Sequence, residues 1–265
     1  MQYKQITVNS ILNKITSTDI LFYGDYTIDP YQNCEFGCLY CDSSFEKTIF
    51  IKNNANIILK EELKKNQKGR IIIGSVHDPY QKAEKNYEIT RKILKLIRDS
   101  DFSCHILTKS DLILRDIDIL SEIKNCIVTI SVISMDEDVS NIFEKKVIKP
   151  KKRMKLLEKL NKNNIKSGIA IMPVLPFITE ENIKIIFSNA KKHNAKYIIH
   201  KFLELKGDQK ICFINILKDK YPNLVIKYEE LYKNSYMPNE KYIFELKKTI
   251  QDLCVEFKIQ NKIDI

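Results

Sequence analysis

The sequence predicts an α/β fold, a partial (β/α)6 TIM-type barrel with a helical C-terminal cap. Six short apolar runs alternate with helical segments, and this alternation is typical of a parallel sheet. The chain has 265 residues, 44% of them hydrophobic, which is enough for one large domain with a sizeable core. The predicted division is an N-terminal lead-in over 1–19, the barrel over 20–206 and a helical extension over 207–265.

Each predicted strand is a short run rich in β-branched or aromatic residues, which suits a buried position in a parallel sheet. The first covers 20–28 and is broken at Asp29–Pro30. The other predicted strands cover 70–74, 104–108, 126–132, 167–172 and 197–202.

The helices follow from apolar spacing and from caps. Apolar side chains recur every three or four residues over 84–99, which places them on one helix face. Thr179, followed by two glutamates, predicts a helix N-terminus because hydroxyl and acidic side chains satisfy the free amides there. Further helices are predicted over 57–65, 115–123 and 151–161, and two amphipathic helices over 208–219 and 240–257 form the cap.

Charge and hydropathy limit the functional classes. The formal net charge is +10, and a basic surface can hold nucleic acid. Lys greatly outnumbers Arg, however, a bias that an AT-rich genome also produces, so charge alone leaves this partner open. No apolar run approaches the ~20 residues of a membrane span. The first residues lead into no apolar signal-peptide core, so a soluble cytoplasmic protein is expected.

Three of the seven cysteines, Cys34, Cys38 and Cys41, have the spacing Cys-x3-Cys-x2-Cys. Thiolates are preferred ligands of iron–sulfur clusters, and a closed cluster site needs four protein ligands. A local set of three leaves one iron open to another ligand. Gly37 suits the loop, because Gly adopts backbone angles that other residues avoid. The alternatives are a zinc site completed by a distant Cys or His, and free buried thiols.

This stretch resembles the cysteine motif of the radical S-adenosylmethionine (SAM) enzymes. In that family three cysteines hold a [4Fe–4S] cluster, and the open iron binds the amino and carboxylate groups of SAM. An electron from the cluster cleaves SAM to methionine and a 5′-deoxyadenosyl radical, which takes hydrogen from a substrate. The resemblance implies that Tyr40 packs near the adenine. It also implies an external electron donor of the flavodoxin or ferredoxin type.

A longer stretch, from Asp29 to about Ile185, resembles the branch that includes spore photoproduct lyase. That enzyme uses a cysteine on the loop after the second strand as a hydrogen donor, whereas this chain has Gly74-Ser75-Val76-His77 there. This departure argues against the lyase reaction itself and leaves SAM cleavage unaffected. The matching pieces are Asp78-Pro79-Tyr80-Gln81, Glu84, Thr90-Arg91, Thr108-Lys109-Ser110-Asp111, Leu114-Arg115-Asp116, Ser131, Glu144, Arg153, Pro173 and Pro176.

The predicted SAM pocket follows from the resemblance and from positions near strand ends. Lys109 would pair with the SAM carboxylate, or is simply solvated. Ser131, in an apolar strand, needs a partner in SAM or in its own backbone. Arg153 either grips the SAM carboxylate or pairs with Glu144 and orders the loop. Gly74 permits close approach of the backbone. The predicted pocket residues are Tyr40, Gly74, Lys109, Ser131 and Arg153.

Three residues of the loop after the second strand carry weaker predictions. Asp78 is expected to cap the turn that follows it, as Asp before Pro commonly does. His77 is expected to be solvated or packed rather than catalytic. Tyr80 is either a ring of the apolar core or a substrate contact, and the sequence does not distinguish between these roles.

These observations predict a radical SAM enzyme with Cys34, Cys38 and Cys41 as cluster ligands. Its substrate is unknown, with nucleic acid as the first candidate and a peptide as the second. The rival from another class is a non-catalytic zinc or iron–sulfur module. That module requires a fourth protein ligand, for which the remaining cysteines are Cys104, Cys126, Cys212 and Cys254.

Overall fold

The structure, a computed structural model, describes residues 1–44 and 46–264. Its strands are β1 Gln2–Ile6, β2 Asn13–Lys14, β3 Tyr26–Ile28, β4 Tyr31–Gln32, β5 Thr48–Lys52, β6 Arg70–Ile73, β7 Ser103–Thr108, β8 Ile127–Ser131, β9 Lys166–Val174 and β10 Ile198–Phe202. Its helices are α1 Ala55–Lys65, α2 Glu84–Tyr87, α3 Ile89–Arg98, α4 Ile117–Leu120, α5 Glu137–Phe143, α6 Pro150–Lys162, α7 Ile183–Lys192, α8 Gly207–Lys220, α9 Val225–Leu231 and α10 Glu240–Phe257. Short 3-10 helices cover Asp42–Ser44, Asp111–Asp116, Glu180–Asn182 and Pro222–Leu224.

The main sheet confirms the predicted α/β architecture. Strands β3, β6, β7, β8, β9 and β10 are parallel and lie side by side in chain order. The short strand β2 pairs antiparallel with β3 at one edge. Among the described residues β2 and β10 do not pair with each other, which is consistent with the predicted partial barrel. Because the six strands are parallel, their carboxyl ends lie on one face of the sheet, where active sites of such folds collect.

The N-terminal part differs from the sequence prediction. Residues 20–23 do not extend the first strand, because the Asp19 carboxylate accepts the backbone amides of Leu21, Phe22 and Gly24 and closes a turn. The predicted lead-in contains β1, which pairs in parallel with β5 in a second, three-stranded sheet. The side chains of β1 are mostly exposed, so no alternating apolar pattern marks this strand.

The predicted helix over 84–99 is divided in two. Glu88 adopts a φ of 51°, which ends α2 and starts α3. The buried Glu84 carboxylate accepts the backbone amides of Thr90 and Arg91 and so satisfies the first turn of α3. The helix predicted over 115–123 is a 3-10 helix followed by the single-turn α4. Helices α5 and α9 were not predicted.

Two apolar cores matter for the site. The larger one fills the space between the outer face of the sheet and helices such as α3, α6 and α7. The second core, called here the loop core, joins the cysteine loop to α5, α8 and α9. In the described part of the chain, no helix is long and apolar enough to cross a membrane.

Candidate active site

A cavity of about 330 Å³ opens at the carboxyl ends of the parallel strands. The cysteine loop forms one wall, the loop after β6 and the end of β7 form another, and the segment after β10 forms the rim. The lining residues are Cys34, Phe36, Cys38, Tyr40, Cys41, Asp42, Gly74, Ser75, Val76, Asp78, Leu107, Thr108, Lys109, Ser131, Met172, Pro173, Lys201, Phe202, Leu203, Glu204, Lys206 and Gln209. Four of the five predicted pocket residues are therefore in this cavity, together with all three motif cysteines.

The cysteine loop folds back on itself through backbone hydrogen bonds. The amide of Cys34 donates to the carbonyl of Ser43 at 3.1 Å, and the amide of Cys41 donates to the carbonyl of Cys38 at 3.1 Å. Gly37 has a φ of +64°, the left-handed conformation that glycine tolerates best. Gln81 holds the loop from outside, because its side chain accepts the amide of Glu35 and donates to the carbonyl of Asn33.

The thiols fit a metal group as ligands. Cys34 and Cys38 are buried, and burial raises their pKa values to about 11 and about 12. Lys109 acts in the opposite direction on both thiols. A soft cation that favours the thiolate form would offset the cost of burial. Within 1–44 and 46–264 no group of three His, Cys, Asp or Glu side chains converges closely enough to hold a single metal ion. Thiolates are preferred ligands of iron–sulfur clusters, so the chemistry of these three side chains fits such a group.

The other cysteines lie elsewhere. None of Cys104, Cys126, Cys212 and Cys254 is among the described residues that line the cavity. Cys104 on β7 and Cys126 just before β8 contact each other, with their sulfurs 3.6 Å apart, near the opposite ends of the strands. Cys212 is exposed on α8, and Cys254 is buried on α10. The fourth ligand that a closed metal module requires is therefore not supplied to this cavity by a described cysteine.

Lys109 follows β7 directly and faces the thiols. Burial lowers the pKa of Lys109, but the nearby Cys38, Glu144 and Asp78 act in the opposite direction and together outweigh burial, so the net pKa is raised. Its ammonium lies 5.9 Å from the centre of the Tyr40 ring, within reach of a cation–π contact. Lys109 is thus a charged group at the cavity wall.

Asp78 holds the strand ends together. Its carboxylate accepts the amide of Tyr80 at 2.9 Å, which is the expected cap of the turn. It also accepts the Thr108 hydroxyl at 2.7 Å and the Lys109 amide at 2.8 Å, and so joins the loop after β6 to the end of β7. Burial raises the pKa of Asp78, although Lys109 opposes that shift.

Ser131 and Arg153 have different positions relative to the cavity. Ser131 lines it, and its hydroxyl donates to the carbonyl of Met172 at 3.1 Å. Arg153 is fully buried behind the wall, ion-paired with Glu144, and is not among the described lining residues. This placement matches the alternative considered for Arg153, an ion pair that orders the loop, better than direct contact with SAM.

Several of the residues on which the predicted family resemblance rests form a buried polar network and do not line the cavity. Glu84 accepts a hydrogen bond from Arg115 at 2.6 Å, and Asp116 accepts one from Arg91 at 2.6 Å. Tyr80 is a buried ring whose hydroxyl donates to Asp116 at 3.1 Å. These residues fix α3 and the segment after β7 beneath the loops of the site.

The rim contains residues that the sequence did not single out. Gln209, in the first turn of α8, donates a side-chain hydrogen bond to the carbonyl of Tyr40. Glu204 forms ion pairs with Lys201 at 2.8 Å and with Lys206 at 2.5 Å. No local pattern marks these residues, because they reach the site only through the path of the chain after β10.

The chain is similar in sequence to one known family and to several uncharacterized proteins. The family model described as the radical SAM superfamily matches residues 28–189. An uncharacterized protein of Methanocaldococcus jannaschii is 30% identical over 240 residues, covering 88% of this chain and 88% of that protein. An uncharacterized protein of Mycobacterium tuberculosis is 24% identical over 278 residues, covering 97% of this chain and 81% of that protein.

Solved structures support the same fold. A structure of spore photoproduct lyase complexed with a dinucleoside spore photoproduct superposes with a TM-score of 0.70 at 13% identity. The match covers 96% of this chain and 79% of that one. At this identity the likeness concerns the fold. Because the family model covers more than half of the sequence, the chain belongs to the radical SAM superfamily and is a radical SAM enzyme.

Proposed function

We propose that the protein reductively cleaves SAM at a [4Fe–4S] cluster to a 5′-deoxyadenosyl radical that abstracts hydrogen from a substrate. Cys34, Cys38 and Cys41 would hold the cluster. The observation that carries the proposal is the meeting of these three thiols and the charged Lys109 in one cavity at the carboxyl ends of the strands.

The remaining pocket residues have distinct roles in this proposal. The Lys109 ammonium orients a carboxylate by its charge. Gly74 lines the cavity, and its missing side chain lets Pro79 and the carbonyl of Leu107 approach closely and shape the wall. The Ser131 hydroxyl donates to Met172 and keeps its acceptor lone pairs for a ligand group. The Tyr40 ring provides an apolar surface next to Lys109.

The test is anaerobic. The cluster is reconstituted, SAM and a strong reductant are added, and 5′-deoxyadenosine is measured by mass spectrometry. We expect it from the wild type and from Cys212→Ala, the exposed cysteine away from the cavity, and not from Cys38→Ala. Equal yields from Cys38→Ala and the wild type would contradict the assignment. A bound metal without SAM cleavage in the wild type would favour the non-catalytic module.

The first candidate substrate is nucleic acid. Lys201 and Lys206 stand at the cavity rim with side chains 52% and 57% exposed, so a phosphate group could reach them in competition with Glu204, which pairs with both. The net charge of +10 favours the same partner. The second candidate is a peptide, which needs no such charges. An external electron donor of the flavodoxin or ferredoxin type completes the proposed reaction.

A further inference from the structure

We propose that Glu144 and Arg153 are positioning residues: they hold Tyr40 and Ser131 in place for SAM, and Arg153 acts without touching SAM. The proposal rests on the proposed function, because it assumes that SAM binds in the cavity. Its support comes from the contacts that these side chains make in the fold.

The contacts form one continuous buried chain. The Tyr40 hydroxyl donates to one oxygen of the Glu144 carboxylate, and the other oxygen accepts Nη2 of Arg153. Nη1 of Arg153 then donates to the carbonyl of Ser131 at 2.7 Å. The exposed fractions are 5% for Tyr40, 1% for Glu144, 0% for Arg153 and 1% for Ser131. The side chains of Tyr40, Glu144 and Arg153 thus join the cysteine loop to the main-chain carbonyl of Ser131 at the end of β8.

The residues at the two ends of this row of hydrogen bonds lie at the cavity. Tyr40 and Ser131 both line it, whereas neither Glu144 nor Arg153 is among its described lining residues. A backbone contact supports the same connection, because the amide of Leu39 donates to the carbonyl of Phe143 at 3.0 Å. Glu144 directly follows Phe143, so the loop is attached to the end of α5 through main chain and side chain together.

The energetics favour a positioning role. A buried ion pair contributes little net stability, because desolvation offsets its attraction, but it fixes geometry when its hydrogen bonds are satisfied. Glu144 has both oxygens in hydrogen bonds. A direct role for Arg153 remains the rival, since its Nε is buried and has no partner among the described residues. The experiment must therefore separate the two roles.

The experiment is a double-mutant cycle on the anaerobically reconstituted protein. Tyr40→Phe removes only the hydroxyl that Glu144 holds, and Arg153→Met removes the guanidinium. The readouts are the SAM dissociation constant and iron content. Arg98→Met is the control, because Arg98 is a partly exposed residue of α3 that pairs with Asp99 and Glu122 and does not line the cavity. We expect each single change to weaken SAM binding about tenfold. The double variant should bind SAM no more weakly than the single variant with the lower affinity.

A second measurement does not depend on the cluster or SAM. Amide hydrogen exchange over 34–41 in the metal-free protein should accelerate in Tyr40→Phe and in Arg153→Met, and not in Arg98→Met. If the wild type binds no SAM, the proposed function fails, but the exchange still tests the connection. Unchanged exchange would overturn the positioning role. Additive losses of SAM affinity would assign Arg153 to SAM directly and overturn it as well.

Discussion

Gly74 has a φ of +87°, and a Cβ built on it would lie 2.5 Å from Cδ of Pro79 and 2.7 Å from the carbonyl oxygen of Leu107. Gly74→Ala therefore combines backbone strain with a clash against a strand. We expect a loss of about 3 kcal/mol in the free energy of unfolding, measured by urea denaturation.

Gly207→Ala is the matched control for this change. Gly207 has a φ of +47°, but a Cβ there would meet nothing within 4 Å. It should lose only the roughly 1 kcal/mol of left-handed strain. Equal losses for the two variants would show that strain alone matters and that the close approach at Gly74 does not.

His105 gives the protein a predictable pH dependence. It is fully buried, its Nε2 lies 2.6 Å from the Thr129 hydroxyl, and burial lowers its pKa to about 3. The unfolded chain has the ordinary value of about 6.5, so below that pH the unfolded state binds a proton that the folded state excludes. Stability is fully present above pH 6.5 and should fall by about 2 kcal/mol between pH 7 and pH 5 from this group.

His200 should contribute in the same window, because burial lowers its pKa to about 4. Urea midpoints at pH 7 and pH 5 measure the effect. His105→Gln and His200→Gln should each reduce the difference between the two pH values. If neither variant changes that difference, the histidines are not its source.

At the residue scale, the sequence predicted which residues lie near the site better than it predicted where their side chains point. The cysteines, Gly74, Lys109 and Ser131 were assigned to the site from motif and strand ends, and the structure places them around one cavity. Arg153 was assigned from the same logic and lies behind the wall. A residue at the start of a helix can face the ligand or the core, and the sequence does not fix which.

At the element scale, the parallel strands were predictable because fully buried strands are continuous apolar runs. The burial patterns of β6 and β8 show no exposed position, as such runs require. Strand β1 was missed because it is an exposed edge that depends on pairing with β5, 42 residues or more away in sequence. The break at Glu88 was missed because the apolar spacing continues across it, whereas the polar contacts of Glu84 with the amides of Thr90 and Arg91 leave no apolar pattern.

Helix α8 ties the C-terminal extension to the site, which gives a prediction for the element. Phe213 is fully buried in the loop core and stacks on Phe143 with ring centres 5.6 Å apart. Phe213→Ala should lower the free energy of unfolding by about 3–5 kcal/mol. Because Cys34, Cys38 and Tyr40 share this core, the variant should also retain less iron after reconstitution.

Phe187→Ala is the control for that effect. Phe187 is also fully buried, but it lies on α7 in the larger core, away from the cysteine loop. A comparable loss of stability with near-normal iron content is expected. If both variants lose iron equally, general destabilisation explains the loss and α8 has no special connection to the site.

At the scale of the whole molecule, the net charge of +10 attracts nucleic acid in general. A specific contact at the cavity must therefore be distinguished from this general attraction. If the cavity receives a nucleic acid, Lys201 and Lys206 should contact its phosphates. Each contact releases counterions, so the Lys201→Gln/Lys206→Gln variant should bind a single-stranded oligonucleotide more weakly and with a salt slope smaller by about 1.4. Fluorescence anisotropy across a salt series measures both quantities.

The control removes the same charge from the other end of the barrel. Lys191 and Lys196 line a separate cavity near the amino ends of β9 and β10. Lys191→Gln/Lys196→Gln has the same net charge as the rim variant, so both feel the same general attraction. A loss confined to the rim variant supports a nucleic-acid substrate at the cavity. Equal losses would indicate non-specific binding to a basic protein, and the peptide would then become the better candidate, since its recognition does not require the lysines of the rim.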